Sequence, residues 1–162
     1  MPESAEQHEL SENEAAEIKR IVELLGGQRV LRHRLFHRFA VHEFLYKGLP
    51  RAALTHLYEH VVLLHRPELF ERALGMSMRT FQRSRLAPRK PLSKEQSGRT
   101  WKFAEILAKA IEVFGSREEA SAWLERPAMG LEQRRPIDLL ATPAGVKLVE
   151  DFLGRLEYGV YT

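Results

Sequence analysis

The segment Leu74-Gly-Met-Ser-Met-Arg-Thr-Phe-Gln-Arg-Ser-Arg-Leu86 constrains the fold more than any other part of this 162-residue chain. Gly75 can adopt the left-handed conformation that ends a helix, and Ser77 carries a side chain that caps the next helix by accepting a bond from an exposed backbone N–H. Two short helices joined by a sharp turn are predicted. In the second, Met78, Phe81 and Leu86 are spaced to face a core, which leaves Arg79, Thr80, Gln82, Arg83 and Arg85 outward. That is the pattern of a DNA-binding helix-turn-helix. Ser77, Arg79 and Thr80 stand near the helix N-terminus that enters a major groove, where Arg can reach guanine and Gln82 can reach adenine. Arg83, Arg85, Arg89 and Lys90 suit phosphates. One residue departs from the pattern: Glu71 stands four before Gly75, where a small side chain usually lets the two helices approach.

The distribution of charge supports a polyanionic partner for the middle of the chain. Residues 1–17 hold six glutamates and no Lys or Arg, residues 18–100 hold 17 Lys and Arg against 6 Asp and Glu, and residues 101–162 hold 8 against 10. A concentrated positive field speeds encounters with polyanions and supplies phosphate contacts. The acidic start is the opposite of a signal peptide, and no apolar run is long enough to cross a bilayer. With no cysteine there is no disulfide framework, thiolate metal site or cysteine nucleophile, and a reducing cytoplasm is the expected location.

The fold class expected is all-α. Ser11 with Glu14 reads as a capping box ahead of the apolar stripe Ile18, Ile21, Val22 and Leu25, stopped by Gly26-Gly27. A second helix is expected from about Gln28 to Lys47, and a third, opened by Pro50, carries Leu54, Leu57, Val61 and Leu64. Pro67 opens the first helix of the helix-turn-helix, with Leu69, Phe70, Ala73 and Leu74. Residues 87–98 are rich in Pro, Gly and Ser and mark a module boundary. Beyond it a long helix to Phe114, a short helix capped by Ser116 and a last helix opened by Thr142-Pro143 are expected. The division is an acidic flexible tail over 1–11, a helix-turn-helix region over 12–90 and a C-terminal region over 94–162. Two compact modules sharing an interface are anticipated.

Chemistry-bearing motifs are few. His56-Leu-Tyr-Glu-His60 matches the pattern in which two imidazoles one helical turn apart hold zinc and the Glu activates water, but no third protein ligand is evident and the spacing is ordinary for an amphipathic helix. The chain has no phosphate-binding glycine loop, nucleophile elbow or paired-carboxylate motif, so no enzyme, metal, cofactor or small-molecule substrate is expected. Trp101, Phe103 and Trp123 read as core aromatics. Tyr158, Val160 and Tyr161 follow the last helix and read as packed, either on the chain's own core or on a partner.

The blocks GMSMRTFQR, Ala110-Ile-Glu-Val-Phe-Gly115, Ala120-Ser-Ala-Trp-Leu-Glu-Arg-Pro127, Pro136-Ile-Asp-Leu-Leu-Ala-Thr142, Gly145 and Tyr158-Gly-Val-Tyr161 closely resemble, in this order, the Xre/MbcA/ParS family of antitoxins. The resemblance covers residues 70–162 strongly and the preceding helices loosely. It implies an N-terminal Xre-type helix-turn-helix DNA-binding region and a C-terminal helical toxin-binding region. It also implies a homodimer that blocks the active site of an NAD-degrading RES-domain toxin and represses its own operon by binding operator DNA. Arg155, Leu156, Tyr158, Gly159, Val160 and Tyr161 are carried over as toxin-binding candidates, Arg155 because a guanidinium can occupy a site built for a phosphate-bearing substrate. Glu132-Gln133-Arg134-Arg135 departs from the family, which often has glycines there. A stand-alone dimeric helix-turn-helix repressor is the competing reading.

Overall fold

The computed structural model describes residues 2–159, among which there are ten α-helical segments and no sheet. They are α1 (Pro2–Leu24), α2 (Gly27–Leu31), α3 (Arg38–Lys47), α4 (Arg51–His60), α5 (Pro67–Leu74), α6 (Met78–Ser84), α7 (Lys94–Phe114), α8 (Arg117–Leu124), α9 (Pro136–Leu139) and α10 (Pro143–Glu157). A 3-10 turn at Val62–His65 links α4 to α5, and another at Met129–Leu131 follows α8. The fold is all-α. No helix among the described residues is long and apolar enough to cross a membrane.

The organising element is α7. Its N-terminal cap is a full capping box: the Gln96 N–H donates to Ser93 Oγ while the Ser93 N–H donates to Gln96 Oε1, both at 3.1 Å. Trp101, Phe103, Ala104, Ile106, Leu107 and Ala110 are buried along it, and the helix packs on α1, α3 and α5 as well as on α8 and α10. One hydrophobic core therefore runs from Ile18 to Leu153. The break in composition over residues 87–98 is a loop up to Ser93, lying across the start of α4, followed by the first turn of α7. The Ala52 and Arg51 N–H groups donate to the Pro88 and Lys90 carbonyls, and the Leu92 N–H donates to the Leu49 carbonyl. It divides no core, so the anticipated pair of modules is one apolar body sharing a central helix.

Three local expectations need correction. The first helix begins at Pro2, so residues 2–11 continue α1 and the Ser11–Glu14 box does not form. Glu, Gln, Ala and Leu propagate a helix well, and glutamates in its first turns suit the macrodipole. Glu14 pairs instead with Arg38 at 2.9 Å. The helix expected over 28–47 is two: α2 ends at Arg32 in the left-handed region (φ 57°), and α3 starts afresh where His37 Nδ1 accepts from the Ala40 N–H. No Gly or Pro marks the interruption, which lets Leu35 turn into the core between Leu31 and Val41. Leu86, placed in the core by its spacing, is 86% exposed because the helix has already ended at Ser84.

Candidate nucleic-acid and partner-binding surfaces

The turn between α5 and α6 forms as its residues require. Gly75 has φ 69° and its N–H returns to the Glu71 carbonyl, closing α5. A Cβ at this position would stand 3.0 Å from the Arg99 guanidinium, which reaches from α7 to donate to the Arg72 carbonyl at 2.9 Å. Arg99 thereby caps the C-terminal end of α5, where exposed carbonyls favour a cation. Ser77 accepts the Thr80 N–H at 3.1 Å and gives its own hydroxyl to Thr80 Oγ1 at 3.0 Å. Both hydroxyls hold the start of α6, so their first role is to fix the helix.

Behind that turn Phe81 is fully buried against Phe70 and Tyr58, with ring centroids at 5.0 and 4.7 Å. This fixes the rotation of α6 about its own axis. Arg79, Thr80, Gln82 and Arg83 are consequently exposed on the other side, and neither arginine is in an ion pair among the described residues. Arg85 is different. It is half-buried, bonded to Glu59 at 3.1 Å, and lies over the rings of Tyr58 and Phe81. Its charge is already neutralised within the fold, so α6 keeps Arg79 and Arg83 for an outside partner where the sequence offered Arg85 as well. Glu71 points away from the interface between α5 and α6 and is exposed; the buried residues of that turn are Ala73, Leu74 and Met76.

The His56–His60 motif is used structurally. His56 donates from Nδ1 to the Leu24 carbonyl, His60 from Nδ1 to the His56 carbonyl, and the two rings stack with centroids 4.0 Å apart. Glu59 is committed to Arg85. Nothing aims these three groups at a common ion, and no cluster of three or more metal-ligating residues occurs among the described residues.

At the other end of the molecule, Thr142 caps α10 by accepting the Gly145 N–H at 3.0 Å. Gly145 is needed for close approach: a Cβ there would sit 1.9 Å from the Leu139 carbonyl oxygen, so α9 and α10 meet backbone to backbone. Phe152 of α10 stacks on Trp123 of α8 with an interplanar angle of 3°, and Trp123 packs on Phe114 of α7. The Arg155 guanidinium lies over Phe152 at 5.6 Å, with its Nε buried and without a hydrogen-bond partner among the described residues. Leu156 is half-buried, whereas Tyr158 is 82% exposed and Gly159, at φ 71°, is exposed as well. Tyr158 thus lies outside the chain's own core. Val160 and Tyr161 lie outside the described residues. Met129, which the sequence did not single out, is 84% exposed beside this end, since the backbone of its neighbour Gly130 presses on the Phe152 ring. Its only signal was an apolar residue in a polar turn.

Comparison with known proteins matches two successive segments of the chain to domain families. Residues 41–105 match the Antitoxin Xre-like helix-turn-helix domain and residues 109–159 match the Antitoxin Xre/MbcA/ParS C-terminal toxin-binding domain. An antitoxin Xre of Pseudomonas putida is 31% identical over 121 residues, which is 75% of this chain and 73% of that protein. The chain belongs to the Xre antitoxin family. Antitoxins Xre of Yersinia enterocolitica and Photorhabdus laumondii are 35% identical over 92 residues and 29% identical over 90. Those matches cover 56% and 55% of this chain, and 62% and 60% of the two relatives' own lengths. Xre antitoxins of this kind are not enzymes. The two family matches meet inside α7, between residues 105 and 109, and not in the Pro- and Ser-rich segment over 87–98. The continuous core explains this, because the helix that carries the N-terminal packing also carries the C-terminal packing.

Proposed function

We propose that this Xre protein is the antitoxin of a type II toxin–antitoxin pair, that it blocks the active site of an NAD-degrading RES-domain toxin, and that it represses its own operon as a homodimer on operator DNA. Supporting the toxin half is Tyr158, exposed at the end of a segment that matches a toxin-binding domain, together with Arg155, whose buried Nε lacks a hydrogen-bond partner among the described residues. A guanidinium and an aromatic ring presented together suit a pocket shaped for a dinucleotide. Supporting the DNA half is α6, whose Arg79, Thr80, Gln82 and Arg83 are exposed beside the N-terminal cap. Operator binding is work for the cytoplasm.

The succession of the two matched segments in one chain carries this reading. Co-expression with the protein encoded beside it tests it: growth and cellular NAD are expected to recover, and the two proteins to co-purify. Undiminished toxicity would sink the toxin half. A purified chain that bound operator DNA but no neighbouring protein would point to a stand-alone repressor.

A further inference from the structure

Arginines on this surface divide into those that find a carboxylate and those that do not. Arg20, Arg38, Arg66, Arg72 and Arg135 each pair with an acid, on Glu112, Glu14, Glu125, Asp138 and Asp138 respectively. Arg29, Arg32 and Arg89 are exposed and pair with none among the described residues. All three line a single groove. Arg29 lies in α2 and Arg32 is the left-handed residue that ends it, Arg89 lies in the loop that leaves α6, and Val30, Phe44 and Pro88 are among the groove's apolar lining. No Asp or Glu lines it among the described residues.

We infer that this groove is a second phosphate-binding surface, contacting the sugar–phosphate backbone of the DNA whose bases α6 reads. The inference rests on the DNA-binding reading above. Three like charges gathered without a counterion raise the local potential and are unfavourable until a polyanion neutralises them. Apolar lining beside the cations accommodates a deoxyribose while the guanidiniums take the flanking phosphates. The groove is tied to α6 along the chain: α6 ends at Ser84, and Arg89 follows five residues on, in the loop fastened to the start of α4 by the Ala52–Pro88 and Arg51–Lys90 hydrogen bonds. It also reaches outside the matched helix-turn-helix domain, which begins at residue 41, so α2 adds DNA surface that the domain alone lacks.

The test is the salt dependence of DNA binding by the full chain, measured by fluorescence anisotropy on a duplex from upstream of its own reading frame and on a scrambled duplex. The Arg29→Ala/Arg32→Ala double variant should bind both duplexes about tenfold more weakly by the same factor. Its plot of log K against log salt should be shallower by about 2, because each arginine removed leaves one phosphate with its condensed counterion. Arg126→Ala/Arg134→Ala removes the same charge from exposed positions elsewhere and should leave the slope unchanged. Circular dichroism melts matching the parent establish that both variants fold. An unchanged slope in the α2 variant, with Arg79→Ala still weakening the upstream duplex, overturns the groove and leaves the DNA reading intact. Equal losses in the two double variants would also overturn it, by reducing the effect to net charge. Loss of partner binding with DNA binding untouched would assign the groove to an acidic protein segment instead. If the parent protein binds neither duplex, the DNA reading itself fails.

Discussion

The surface around α2 and α6 and the helices α7 to α10 differ in how they handle many of their cations. Around α2, α6 and the loop after it, Arg29, Arg32, Arg79, Arg83, Arg89 and Lys90 are exposed and unpaired among the described residues. In α7 to α10, Lys102 bridges Glu105 and Glu150, Lys109 meets Glu157, Arg135 meets Asp138, and Lys147 meets Asp151. Desolvation depresses the ammonium pKa of Lys102, but its two glutamates outweigh this and leave it raised. The same residue types therefore build two surfaces. One keeps its charge for an outside polyanion; the other pairs four of its cations with acids and presents Tyr158 and Met129 on its surface. Free positive charge and exposed apolar area are different recognition chemistries, and one core supports both.

The most severe way to break this comparison is to remove what the two regions share. Phe81→Ala deletes a fully buried ring from between Tyr58 and Phe70 and is expected to cost about 3–5 kcal/mol in urea denaturation. Because the core is continuous through α7, one cooperative transition should move; two separate transitions would show that the regions are independent bodies. Next in size is Tyr158→Ala, expected to weaken toxin binding by about 2–4 kcal/mol in calorimetric titration while leaving DNA affinity unaltered. Arg79→Ala is its mirror image: a loss of about 1–3 kcal/mol on the operator, a smaller loss on random DNA, and normal toxin neutralisation. Equal losses on both duplexes would demote Arg79 to a phosphate contact.

The smallest effect concerns the join. Asp138 of α9 accepts from Arg135 and also meets Arg72 of α5, linking the two regions across the surface. The Arg135 hydrogen bonds, with help from Arg72, hold its carboxyl below the ordinary carboxylate range. A depressed carboxylate binds fewer protons in the folded state, so its stabilisation is present at neutral pH and disappears as pH falls below about 4. Being partly exposed, the contact is worth less than about 1 kcal/mol. Asp138→Asn should lower the denaturation midpoint slightly at pH 7, and the difference from the parent should shrink steadily as the pH is taken below about 4. A difference that persisted in full at acid pH would point to packing and not to charge.

The α5–α6 turn was legible because its signals are local: Gly75 for the left-handed residue, Ser77 for the cap, and Phe81 at the right spacing for the core. Capping at Ser116 and Thr142 was legible for the same reason, each hydroxyl meeting an N–H three residues on. The interruption of α2 and α3 was not legible, since Arg32 takes a left-handed conformation that no Gly or Pro announces and only the seating of Leu35 explains. Nor was the commitment of Arg85, because its partner Glu59 and the ring of Tyr58 come from another helix.

Sequence alone determined the helical class, the turn, the caps and the segregation of charge, all of which follow from backbone preferences and side-chain types acting over a few residues. Tertiary structure decided that α7 unites both regions, that Arg29 and Arg32 share a groove with Arg89, and which arginines remain free. Those outcomes depend on distances between residues remote in the chain, and a cation's availability depends on whether packing has brought a carboxylate within reach.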